Sequence, residues 1–88
     1  MKVIVNYPSA LQPFKNDYPP STAVSVVKAD ALAAFGLKEE QLPGNQQVVF
    51  FLFHGKQRIE DFNQPISAFA PNEHATAEFR LAREVIAG

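Results

Sequence analysis

Residues Val48–Asp61 read VVFFLFHGKQRIED. The first half, Val48–Phe53, is apolar at every position. It therefore forms a strand with two apolar faces, because successive side chains of a strand point to opposite sides. The second half is a turn at Gly55-Lys56 and a polar return, Gln57–Asp61. A strand in a small two-layer domain needs one apolar face for the core. The second apolar face therefore asks for a role of its own.

Outward from this stretch, Met1–Tyr7 alternates. Met1, Val3 and Val5 share one face, and Lys2, Ile4 and Asn6 share the other, which is the period of a first strand. Leu11–Tyr18 reads as a second strand, placed at a sheet edge because Pro13 lacks an amide donor. Ser21-Thr22 offers a helix N-cap, and Ala23–Phe35 reads as a helix. Val24, Val27, Ala31 and Phe35 form its apolar stripe, and Gly36 suits the position after its end. Leu37–Gln47 is a connector with one helical turn before Pro43-Gly44-Asn45. Phe62–Phe69 is loop with a short helical turn near Ile66–Phe69. Thr76–Val85 is the final strand, with Ala77, Phe79 and Leu81 on one face and Glu78 and Arg80 on the other. One helix then covers one face of a four- to five-stranded mixed sheet, and the other face meets solvent. The domain is expected to span 1–85, with 86–88 as a short tail.

The chain has 88 residues, 47% of them hydrophobic, eight Phe and a net charge of -1. That is one small globular domain without the basic surface of a nucleic-acid binder. There is no Cys, which excludes disulfides and thiol catalysis and gives no sign of an oxidising compartment. No apolar run approaches the ~20 residues of a membrane span, and Met1–Pro8 reads as a strand, not a signal peptide. A cytoplasmic location is expected. His54 and His74 without a Cys make no zinc signature, and no phosphate-binding glycine pattern is present. The expectation is a protein without enzymatic activity, cofactor or metal.

Several fragments, in order, resemble the ubiquitin-like (β-grasp) family along the whole chain. Met1-x-Val3-x-Val5 is similar to its opening strand and Val27-Lys28-Ala29 to a triplet of its helix. Phe53-x-Gly55-Lys56-Gln57 and Ile59-Glu60-Asp61 are similar to its third strand, turn and return, with one insertion at Arg58. Ile66-Ser67-x-Phe69 and Thr76–Leu81 resemble its later segments. The first hairpin and the connector are longer than in the family, and the tail ends Ala87-Gly88, not Gly-Gly. In character the chain looks closest to divergent bacterial ubiquitin-like modifiers.

The resemblance implies an α+β fold and a protein modifier activated at its C-terminal glycine and transferred by activating and conjugating-type enzymes. Gly88 would be the activated residue, with Arg83, Ile86 and Ala87 in the tail that those enzymes read. A deconjugating metalloprotease and protein targets would be further partners, and Lys56 matches a lysine used for chain linkage. Lys28 and Asp61 correspond to a helix-to-loop ion pair. The resemblance assigns Val49, Phe51 and Phe53 to the helix-covered face. Val48, Phe50, Leu52 and His54, rimmed by Arg80, would then form a partner-binding surface, or the seam of a weak homodimer. The opposite parity would leave Val49, Phe51 and Phe53 outside instead, so an apolar row faces outward either way. A non-conjugated ubiquitin-like interaction domain and a sulfur-carrier protein are the alternative readings; Ala87 counts against the second.

Overall fold

Two hairpins and a helix surround the final strand. The computed structural model describes residues 1–72 and 74–87. Strand β1 (Lys2–Asn6) pairs antiparallel with β2 (Phe14–Asp17), a short edge strand that starts just after Pro13. Helix α1 (Val24–Phe35) follows. Then come β3 (Glu40–Leu42), β4 (Gln46–His54), the two-residue β5 (Gln57–Arg58), a single 3-10 turn at Ile66–Phe69 and β6 (Ala77–Ala87). The sheet order is β2-β1-β6-β4-β3, with β5 beside the far end of β4. β6 runs parallel to β1 and antiparallel to β4. One helix lies across this mixed sheet, and the strand order makes it an α+β fold of the ubiquitin-like β-grasp type.

The connector differs from its expected helical turn. Residues 40–42 form β3, folded back on Gln46–Val48. Gly44 and Asn45 both have positive φ, 77° and 60°. Glycine and asparagine are the residues that tolerate this region, so Pro43-Gly44-Asn45 reverses the chain tightly enough for strand pairing.

The helix begins at Val24, and its N-cap is Ala23, which makes no side-chain cap bond. Ser21-Thr22 does not cap it. Main-chain carbonyls of the loop after β5 do so instead: Val24 N–H donates to Gln64 O and Ser25 N–H to Phe62 O, at 2.9 and 3.0 Å. The orphan donors of a first turn need acceptors of any kind, and here tertiary packing supplies them. At the other end Gly36 takes the left-handed conformation, φ 70°, and its N–H returns to Ala33 O.

The core is wholly apolar among the described residues. Val24, Val27 and Ala31 of α1 face Val3 and Val5 of β1, Ala77, Phe79 and Leu81 of β6, and Val48, Phe50 and Leu52 of β4. Ile59 and Ile66 close the end. The face of β4 that meets the helix is thus the one expected to meet solvent. The turn decides this. Gly55-Lys56 sets Phe53 opposite Arg58 and His54 opposite Gln57, and one step further the Ile59 N–H donates to Leu52 O. Opposed residues share a face. Leu52 therefore goes inward with Ile59, and Phe53 goes outward with Arg58.

Tyr18 ties the hairpin to the helix, its hydroxyl donating to Asp30 Oδ2 at 2.7 Å. Burial pushes the Tyr18 phenol above its ordinary value, and the Asp30 bond adds to this. The folded state thus prefers the protonated phenol. The stability this gives is complete below the unfolded phenol value and is lost as pH rises through the folded one. Tyr18→Phe should therefore flatten the alkaline end of a stability-versus-pH curve measured by denaturant melts. Phe50→Ala should cost about 3–5 kcal/mol in the same assay. Phe53→Ala, at a half-exposed position, should cost about 1 kcal/mol; equal losses would contradict the assignment of faces.

Candidate functional site

The helix-free face of the sheet carries the second apolar row of β4. Val49, Phe51 and Phe53 lie there, each half-buried. Opposite them on β6 stand Glu84, Ala82 and Arg80 in that order, and Asn6 of β1 stands opposite Arg80. Two guanidinium groups close over the rings. Arg80 Cζ lies 4.4 Å from the centre of the Phe53 ring, and Arg58 Cζ lies 4.5 Å from that of Phe51. A guanidinium stacked on an aromatic face is held by the ring quadrupole and shields the ring from water. It also keeps its N–H donors directed outward for a second acceptor. Arg58 uses part of this capacity on Glu60, at 2.9 Å. Asn6 Nδ2 donates to Glu78 Oε1 at 2.9 Å along the same face. The result is an apolar strip flanked by Arg58 on the β5 side and, on the β6 side, by Arg80 between Glu78 and Glu84.

Of the expected recognition surface, Arg80 alone is on this face. Val48, Phe50 and Leu52 are core residues, at 3%, 2% and 0% exposure. His54 is on their side of the sheet at the strand end, its ring 5.2 Å from Phe69 and 6.2 Å from Phe79. Phe51 and Phe53 take the place given to Phe50 and Leu52. The signal that finds them is the Leu52–Ile59 match across the Gly55-Lys56 turn, which puts a polar Arg58 beside Phe53.

The tail differs as well. Arg83, Ile86 and Ala87 belong to β6, in register with Phe50, Gln47 and Gln46. The strand thus passes the expected end of the domain at Val85. Gly88 is outside the described residues. Lys56 is exposed at the β4–β5 turn.

Lys28 does not pair with Asp61. Its Nζ lies 3.3 Å from Glu39 Oε2 and 4.8 Å from the centre of the Phe62 ring. Asp61 instead accepts the Asn63 N–H at 2.9 Å. Glu39 also accepts the Phe50 N–H at 2.9 Å. Its carboxylate thus fills the stretch of the β4 edge between β3 and β5, where a strand neighbour is missing. Among the described residues no group of three or more His, Cys, Asp or Glu could hold a metal ion. No helix there is long and apolar enough to cross a membrane.

Glu39→Ala should speed hydrogen exchange at the Phe50 amide roughly five- to tenfold, the equivalent of about 1 kcal/mol for one charge-assisted bond at a partly exposed site. The amide of Val48, held by β3, should keep its rate.

Neither a family model nor a curated protein matches the chain. Among solved structures, a ubiquitin-like protein from the hyperthermophilic archaea Caldiarchaeum subterraneum is similar to it. The identity is 15%, over 98% of this chain and 99% of that one, with a TM-score of 0.49.

Proposed function

We propose that this domain is a non-covalent protein-recognition module of the β-grasp fold that binds through its helix-free sheet face. The observation that carries the reading is the row Val49, Phe51 and Phe53 with Arg58 and Arg80 stacked on its rings. A Phe left half-exposed outside the core contributes far less to folding than one inside it, whereas an interface core is built from aromatic residues and arginine. The stacked guanidiniums hold donors ready for carboxylates of a partner, so a partner segment combining apolar and acidic residues fits the strip.

The modifier reading needs residues 83–87 extended and free to enter an activating enzyme. Here that segment is zipped to Gln46–Phe50, and it must first be peeled from β4. The recognition reading requires no such step and is preferred for that reason.

Affinity capture with three forms of the protein separates the two. The native chain and one extended beyond Gly88 should retain the same bound proteins, while Phe51→Asp with Phe53→Asp should lose them. The reverse pattern, loss on extension and retention in the double variant, would restore the modifier reading. An ATP-dependent adenylate at Gly88 with a cognate activating enzyme would do so directly.

A further inference from the structure

The sheet has a second feature, independent of the aromatic strip. The Phe50 N–H points to Glu39, and Leu52 O points to Ile59. Both residues therefore turn their main-chain polar groups to the outer edge of β4, away from β6. In an antiparallel ladder, a residue whose groups turn away stands opposite one whose groups also turn away. Arg83 stands opposite Phe50. By the period of two, Val85 and Ala87 direct their N–H and C=O to the same far side of β6. β1 occupies that side only as far as Arg80, opposite Asn6. Beyond it, residues 83–87 form an open sheet edge among the described residues.

The other edges are shorter or covered, and β3 at the far side of the sheet is only three residues long and carries Glu40. β2 is four residues long, follows Pro13 and carries Lys15 and Asp17. The outer edge of β4 is covered by β3, β5 and the Glu39 carboxylate. Short length, proline, charge and cover are the devices that keep strand edges from pairing. The β6 edge has no proline, its charges of opposite sign, Arg83 and Glu84, lie at its start, and it carries two of the large apolar residues most exposed to solvent, Val85 at 45% and Ile86 at 37%.

We infer that residues 83–87 of β6 pair antiparallel with the same strand of a second copy, joining two sheets into one about a two-fold axis perpendicular to them. Charge excludes two registers, and the length of strand paired favours a third. An axis at Arg83 opposes two guanidiniums and drives the strand ends toward β1. An axis at Glu84 opposes two carboxylates. An axis at Val85 sets Val85 against Val85, Glu84 against Ile86 and Arg83 against Ala87, with no like charges directly opposed. In that register the edge-facing groups of the two Val85 residues, and of each Arg83 with the other copy's Ala87, satisfy one another. A net charge of -1 per chain opposes association little. The two helix-free faces then lie on the same side of one continuous sheet, so that two recognition strips can engage a repeated partner together.

A strand pair this short buries less than a standard interface, so self-association belongs in the micromolar to millimolar range. Sedimentation velocity of the full chain from about 10 μM to about 1 mM should show weight-average mass rising toward a dimer. Val85→Lys should abolish the rise with an unchanged circular dichroism spectrum, as expected at an exposed position. Val26→Lys, on α1 and equally exposed at 45%, should leave it intact. Hydrogen exchange at the Arg83 and Val85 amides should slow as concentration increases. A strict monomer at the highest concentration would overturn the inference. So would association that survives Val85→Lys and is lost in Phe51→Lys, which would move the contact to the open face.

Discussion

The alternation of β4 is the constraint on which the rest depends. Every position from Val48 to Phe53 is apolar, so the strand could bury either face, and a one-residue change would exchange all of its side chains. Its neighbours remove the ambiguity. β6 has one apolar and one charged face, and the turn at Gly55-Lys56 sets Ile59 beside Leu52. Together they draw Val48, Phe50 and Leu52 under the helix. Once that row is inside, Phe51 and Phe53 must be outside, and the outer aromatic row follows from the packing of the core.

Much of the fold was legible because its signals are local. The alternation of β1 and β6, the stripe Val24-Val27-Ala31 and the glycine at position 36 each specify their element within a few residues. β3 was less legible. Its three residues carry no apolar pattern, and they become a strand because Gly44 and Asn45 permit the reversal. The helix start was misread for a related reason. Ser21 and Thr22 have the chemistry of a cap, but the acceptors come from residues 62 and 64, far along the chain. The candidate site was half legible. The surplus apolar face was evident from composition alone, whereas its identity needed cross-strand register, which the Leu52–Ile59 match contains and the family resemblance obscured.

Glu39 shows how polar groups can do the work of a strand. A carboxylate held by Lys28 accepts one main-chain N–H where β3 has ended and β5 has not begun. The gap is only wide enough for such a plug. Among the described residues the open end of β6 has no equivalent side chain bonded to its main-chain groups. The same sheet thus has one edge sealed by a side chain and, among the described residues, one left open along its main chain.

β6 follows every other element in the sequence yet lies in the middle of the sheet, between β1 and β4. Neither hairpin can complete its pairing before β6 has been synthesised, and closing β1 against β6 brings together residues from opposite ends of the domain, a slow contact to form. Until β6 docks, β4 therefore keeps both apolar rows, Phe50 and Phe51, uncovered along that edge. Exposed apolar surface beside an unpaired strand edge is the aggregation-prone feature of a partly folded chain. Any delay in docking β6 therefore prolongs the time for which this surface can meet that of another unfinished chain.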